Sequence, residues 1–291
     1  MKGKILVPVD FSQHTAVSCR YATHLATLLR HDIILFHSFF DQIYFSDGGF
    51  ITGFESGIML TDEIILDFYR QKEARLAEIS AELRALLEMH GCSDLEVTCR
   101  MESGDPEVQI LRAIDRIEPR LIVMGSSGMG KKSLFAGSVA RRTMDSTSIP
   151  VIAVPDIEPE LVPGKVAYMT NFESSDPIAL SEIDNLLSPA LLELQCVHFC
   201  SSRKEDEARD SMETLRARDL PLRPETRLSF HIIAGDDPEE ALEEHVRQNR
   251  ISLIAFIPHK RNVLQNLVRQ NITKYDLFMT RVPILAVPVK P

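Results

Sequence analysis

Apolar residues along this chain fall into two recurring rhythms. Short runs such as Ile5-Leu6-Val7, Ile33-Ile34-Leu35-Phe36, Leu121-Ile122-Val123-Met124 and Val151-Ile152-Ala153-Val154 alternate with longer charged stretches. The runs read as buried strands, and the stretches, with apolar positions every three or four residues, as amphipathic helices. In the first half, strands are expected at about 4–9, 32–38, 95–101, 120–125 and 150–154. Leu76, Ile79, Leu83 and Leu86 form the core stripe of a helix. Asp105-Pro106 and Asp237-Pro238 each predict an N-cap with proline in the first turn. The helices they open should bury Leu111 and Ile114 in one case, Leu242 and Val246 in the other. This alternation predicts an α/β fold in which helices cover a mainly parallel sheet. Ligands of such folds bind beyond the carboxyl ends of the strands, where the strand order reverses.

The pattern occurs twice. Lys4-Ile5-Leu6-Val7-Pro8-Val9-Asp10-Phe11 matches Lys165-Val166-Ala167-Tyr168-Met169-Thr170-Asn171-Phe172 at an offset of 161, and His37 matches His198 at the same offset. Gly104-Asp105-Pro106-Glu107 then corresponds to Gly235-Asp236-Asp237-Pro238-Glu239, Leu121–Met124 to Leu253–Phe256, and Ile149–Pro155 to Val282–Pro288. The offset falls to 131 at the glycine, so the first half carries about 30 extra residues, placed within roughly 39–72. Phe39, Phe40, Tyr44, Phe45, Phe50, Phe54 and Phe68 lie there. A lid, an interface arm and a helical extension packed on its own domain all suit that composition. Pro155–Gly164 holds three prolines, acids and a glycine and reads as a linker, dividing the chain into domains at 1–156 and 165–291.

Composition narrows the class. With 44% hydrophobic and 25% charged residues, the 291-residue chain has the balance of a soluble globular protein. No run approaches the roughly 18 apolar residues of a membrane span. The amino-terminal apolar run ends at Asp10, too soon for a signal-peptide core, so a cytoplasmic protein is expected. Five cysteines (Cys19, Cys92, Cys99, Cys196 and Cys200) form no C-x-x-C pair and suit reduced thiols. Cys196, His198 and Cys200 would share one face of a strand; with no fourth ligand near in sequence, they read as core rather than as a metal site. The net charge of −10 opposes nucleic-acid binding, and Lys131-Lys132 with Arg141-Arg142 are too few to reverse it.

The most informative segment is Gly125-Ser126-Ser127-Gly128-Met129-Gly130-Lys131-Lys132-Ser133, continuing to Gly137-Ser138-Val139. Glycines after a strand let backbone N–H groups approach an anion, and a following helix start adds its positive end; a simple tight turn is the other reading. Gly125-x4-Gly130-Lys131 imitates the start of a P-loop, but Lys132 stands where Ser or Thr must hold magnesium. A P-loop enzyme is therefore set aside.

Asp10 at the end of the first strand, Gly125-x2-Gly128 and Gly137-Ser138 together resemble the universal stress protein family, in its tandem two-domain form. That family's nucleotide-binding loop has the form G-x2-G-x9-G-[ST]; here eight residues, not nine, separate Gly128 from Gly137. The resemblance implies two Rossmann-like domains of the adenine nucleotide α-hydrolase-like kind, each with a five-stranded, mainly parallel sheet. It implies ATP or a related adenine nucleotide, with or without Mg2+, bound by the first domain. Asp10 would sit near adenine and ribose, with Pro8 and Val9 lining the pocket, and Ser38 would replace the usual aliphatic seat. Met124 and Gly125 would approach ribose and phosphates, and Gly128, Gly137, Ser138 and Val139 would surround the phosphates. Asp10 could equally cap a helix, and one carboxylate can do both.

The second half has no glycine from Ala255 to Pro291, carries Pro258 after its matching strand, and has Asn171 in place of the aspartate. No glycine-type cradle can form there; His259, Lys260, Arg261 and Arg269 read as a solvated face. The resemblance also implies pairing of the last strands, Ile149–Val154 with Ile284–Val289, as an internal pseudo-dimer, and allows a homodimer and an unidentified protein partner. No catalytic residue and no bound metal ion of the protein's own is expected, since no nucleophile elbow and no H-E-x-x-H helix occurs. The expected function is a stress-response regulator or sensor that binds nucleotide without efficient turnover, slow hydrolysis or autophosphorylation on Ser126, Ser127 or Ser138 staying open. The alternative is a nucleotide-free interaction scaffold with two degenerate domains.

Overall fold

The structure is a computed structural model that describes residues 2–12, 14–39, 43–46, 49–52, 62–126, 138–156, 163–188, 190–235, 237–258 and 281–289. Among the described residues ten strands form one sheet, in the order Arg227–Ala234, Glu193–Cys200, Lys165–Met169, Leu253–Phe256, Ile284–Ala286, Val151–Val154, Leu121–Gly125, Lys4–Pro8, Asp32–Phe39 and Val97–Ser103. In the first half these are β1 (Lys4–Pro8), β2 (Asp32–Phe39), β5 (Val97–Ser103), β6 (Leu121–Gly125) and β7 (Val151–Val154). In the second half they are β8 (Lys165–Met169), β9 (Glu193–Cys200), β10 (Arg227–Ala234), β11 (Leu253–Phe256) and β12 (Ile284–Ala286). Each set of five is parallel within itself. The two sets join through one antiparallel pairing, with Leu285 opposite Ile152 between β12 and β7. Counted outward from that seam, the two halves have the same strand order.

Helices cover both faces. α1 (Thr15–Leu29) and α2 (Asp62–Met89) pack on one face of the first half, where Ile5, Val7, Leu25, Leu76 and Leu83 share a core. α3 (Pro106–Ile117) and α4 (Ser138–Ser146) cover the other, with Leu6, Ile34, Ile110, Ile122 and Met144 in theirs. α5 (Asp176–Leu187) and α6 (Glu205–Arg216) contribute to the first of these cores, and α7 (Pro238–Asn249) to the second. Parallel strands buried on both faces explain why the strand segments are continuous apolar runs rather than alternating ones.

The expected N-caps are present. The Asp105 side chain accepts from the N–H groups of Glu107 and Val108, and Asp237 accepts from Glu240 N–H at 3.2 Å. Two phases differ from the reading above. In α3, Ile110 is buried beside Ile114 while Leu111 is half-buried; in α2 the stripe Leu76, Ile79, Leu83 ends on Leu87 rather than Leu86. Both shifts are one residue, the tolerance that 3.6 residues per turn leaves when a stripe is read at three-or-four spacing.

The extra segment of the first half begins with an antiparallel hairpin, β3 (Ile43–Ser46) with β4 (Gly49–Thr52), and runs into α2. At 28 residues α2 is far longer than its 12-residue counterpart α6. The insertion therefore supplies the first turns of α2, and these return to the carboxyl end of β2: Phe39 packs edge-on against Tyr69, with ring centroids 4.6 Å apart.

Candidate functional site

In the first half the chain leaves β1 toward β2 and β5 on one side and later places β6 and β7 on the other. The order reverses between β1 and β6, so their carboxyl ends, Asp10 and Gly125, flank the switch point where this architecture opens a crevice.

Asp10 lies just beyond β1, partly buried. Its Oδ1 accepts hydrogen bonds from the Ser12 N–H and the Thr15 hydroxyl, both at 3.0 Å, tying the loop to the start of α1. Its Oδ2 takes no hydrogen bond from the described residues. One carboxylate thus shapes the loop with one oxygen and keeps the other open.

Pro8, Ser38 and Met124 share the sheet face that carries α3 and α4, following the alternation of Leu6, Phe36 and Ile122. Ser38 is half-buried, Met124 is 5% exposed, and Gly125 is half-buried at the rim. Val9 faces the other side of the sheet. Its side chain packs in the α1 and α2 core, its N–H donates to Phe36, and its carbonyl accepts from His37. The next turn is held by Ser126 N–H donating to Val154 at 2.7 Å. Ser138 opens α4, and Val139 packs half-buried against the α3 and α4 core. Gly128, Gly137 and the loop between them lie outside the described residues, as do His259, Lys260, Arg261 and Arg269.

Sequence reasoning missed a histidine clamp beneath Asp10. Phe11 adopts a left-handed φ of 59°, which sets its ring against the buried His37 imidazole at 4.1 Å between centroids. His37 Nδ1 is 2.8 Å from the Val9 carbonyl, so Nδ1 carries the proton and Nε2 is left as an acceptor. Burial holds the imidazole below its usual pKa range, and the Lys72 ammonium works in the same direction. Nε2 is buried without a hydrogen-bond partner, and so is Ser12 Oγ. The signal was in the sequence: Phe11 and His37 both recur at the 161-residue offset, as Phe172 and His198. There φ is 58°, the ring separation 4.2 Å, and His198 Nδ1 lies 2.9 Å from the Thr170 carbonyl.

Around this repeated clamp the second half differs. Asp176, at the start of α5, accepts from the Tyr168 hydroxyl at 2.6 Å and the Thr170 hydroxyl at 2.5 Å and is 1% exposed. Burial raises the Asp176 pKa against the pull of those two hydrogen bonds. Cys196, His198 and Cys200 are buried along β9, as core residues are, and all five cysteines are free thiols. Among the described residues no cluster of three metal-ligating side chains occurs, and no helix is long and apolar enough to cross a membrane.

Comparison with solved structures agrees with this architecture. A universal stress protein from Archaeoglobus fulgidus DSM 4304 is matched with a TM-score of 0.68 at 17% identity, over 98% of this chain and 96% of that one. A functionally unknown protein from Pseudomonas aeruginosa PAO1 is matched at 0.59 and 12% identity, over 99% and 92%. At these identities the likeness establishes the fold. A universal stress protein in complex with cAMP aligns over 52% of this chain and 96% of its own, at 18% identity, with a TM-score of 0.37 that carries no further weight. No curated protein matches the chain. The family match begins within the insertion and stops at the linker, so it includes the glycine segment and leaves out β1 and Asp10: residues 58–155 match the model of the universal stress protein family.

Proposed function

We propose that the chain is a stress-response regulator or sensor that binds ATP or a related adenine nucleotide in its first half, without efficient turnover. The observation that carries the reading is the open Oδ2 of Asp10 at the switch point between β1 and β6, held in place by the bonds to Oδ1. A fixed carboxylate acceptor beside a glycine-rich turn suits a ligand with a hydroxyl-bearing sugar and phosphates. The family match over residues 58–155 supports the same class of ligand. In the second half Asn171 replaces the aspartate, and the carboxylate of Asp176 is consumed within the core, which favours a role in packing and partner contacts. The pairing of β7 with β12 supports reading the halves as two domains in an internal pseudo-dimer. Free thiols throughout suit a cytoplasmic setting.

The test is mass spectrometry of nucleotide released from freshly purified protein, then calorimetric titration with ATP, AMP and cyclic AMP, with and without Mg2+. Retained or titratable nucleotide that is lost in Gly128→Val is the expected result. No binding across that panel would overturn the reading in favour of a nucleotide-free scaffold.

A further inference from the structure

The insertion brings one cation to the rim of the first half. Lys72, half-buried on α2, places its Nζ 5.3 Å from the Phe11 ring centroid and 5.1 Å from that of Phe68. It makes no ion pair with a described residue, although Asp10 lies close enough for both Asp10 and Lys72 to act on His37. Two aromatic faces stabilise an ammonium modestly, and a partly desolvated cation without a counter-charge is costly. A further polar atom of this loop is unsatisfied: Ser12 Oγ, a donor, next to the ring that packs on the buried His37. Unsatisfied buried polar atoms are few in native structures and call for an explanation each. Here one of them, the Ser12 hydroxyl, follows directly on Phe11, the ring over which Lys72 sits.

The second half supplies the control. Phe172 and His198 reproduce the clamp, but no cation stands over Phe172 among the described residues, and α6 lacks the turns that carry Lys72. The cation goes with the open carboxylate and the glycine turn, not with the clamp. We infer that the insertion serves to deliver Lys72 to the carboxyl end of β1, where Lys72 and the Ser12 hydroxyl bind a phosphate group beside His37. The phosphate is that of the nucleotide or of a free polyphosphate; the first source rests on the nucleotide reading above.

The test is calorimetry at low salt on the full chain with ATP, adenosine and inorganic tripolyphosphate, comparing the parent, Lys72→Met, Lys72→Arg and Gly128→Val. Methionine keeps the contact with Phe11 and Phe68 and removes the charge. A charge-assisted contact to phosphate corresponds to about tenfold or more in affinity. Lys72→Met is expected to weaken ATP and tripolyphosphate by about that factor and leave adenosine unchanged, with Lys72→Arg restoring most of the loss. Weaker tripolyphosphate with unchanged ATP would keep the phosphate site and assign it to free polyphosphate. ATP and tripolyphosphate binding both unchanged in Lys72→Met, with ATP lost in Gly128→Val, would overturn this inference and leave the nucleotide reading standing. A parent that binds neither ATP nor tripolyphosphate overturns both.

Discussion

The two halves place different chemistry on the same backbone positions. Val7, Val9, Asp10 and Thr15 in the first half correspond to Tyr168, Thr170, Asn171 and Asp176 in the second. In the first, the carboxylate stands at the rim and the hydroxyl on α1 serves it; in the second, the carboxylate stands on α5 and the Tyr168 and Thr170 hydroxyls serve it. The exchange turns an outward acceptor into a sealed core network. The buried side-chain polar atoms that lack a partner, on Ser12, Tyr21, His24, His31, His37, Ser80 and Thr143, all belong to the first half, and the described residues of the second contribute none. An unpaired buried polar group is destabilising by roughly 1–3 kcal/mol. A half whose polar groups are satisfied internally is built for stability. The other half keeps groups that its described residues leave unsatisfied.

The largest test of this contrast is Asp176→Ala. It leaves the Tyr168 and Thr170 O–H donors without their acceptor in the core, and the expected loss is about 3 kcal/mol, read from the denaturant midpoint. A loss below about 1 kcal/mol would mean the second half does not depend on its internal network.

A second test uses pH. Burial, reinforced by the neighbouring His231, pushes the His245 pKa down from 6.5 to about 4. His245 Nε2 lies 3.0 Å from Gln195 Oε1, and its ring centroid is 5.3 Å from that of His231, so the neutral form docks α7 on β9 and β10. The unfolded chain takes the proton first as pH falls below 6.5, so this contribution is complete above that value and is lost as pH falls toward 4. The expected loss is about 2 kcal/mol at most, since one pKa unit is about 1.4 kcal/mol and the site is not fully dry. Other histidines with lowered values, His24, His31, His37, His198 and His231, add to the parent's slope. The difference between parent and His245→Gln isolates the one site, and identical curves would refute its role.

Much of the fold was legible because burial on both sheet faces writes strands as apolar runs, and because the chain repeats them. Strand positions and the Asp105 and Asp237 caps depend on local residue types and follow directly. Helix phase was less legible: whether Leu86 or Leu87, Leu111 or Ile110 enters the core depends on how the helix is rotated on the sheet. Asp10 could be picked out by its place after β1, but not the division of labour between its oxygens, which depends on Thr15. The His37–Phe11 clamp was visible only as two matched pairs, since nothing in a histidine and a phenylalanine 26 positions apart indicates that a left-handed turn brings the rings together. Lys72 was hidden inside a charged helix.

A smaller effect compares two matched glycines. Gly104 has φ +127°, and a Cβ there would meet Gln109 Nε2 at 2.5 Å, where that side chain donates to the Ser103 carbonyl. A Cβ on Gly235 would meet nothing nearer than Ala241 Cβ at 3.6 Å. Gly104→Ala is expected to destabilise by about 1–2 kcal/mol and Gly235→Ala by about 0.5 kcal/mol or less. Equal midpoints for the two variants would contradict the difference in backbone geometry.

The smallest effect on stability decides most about the site. Asp10→Ala removes the acceptor for Ser12 N–H and Thr15 and is expected to destabilise the ligand-free protein by about 1 kcal/mol. Asn171→Ala, at the matching position, is expected to change the midpoint by no more than about 0.5 kcal/mol. Asp10→Asn separates the two oxygens. The amide keeps one acceptor for Ser12 and Thr15, so the midpoint should stay near the parent's, while the outward oxygen becomes an N–H2 donor that cannot accept from a sugar hydroxyl. Nucleotide affinity should then fall by about tenfold with stability nearly intact. If affinity and stability instead fall together in Asp10→Asn, the carboxylate acts on the ligand only by shaping its loop. If stability falls and affinity holds, Asp10 is a capping residue and the open oxygen has no ligand to serve.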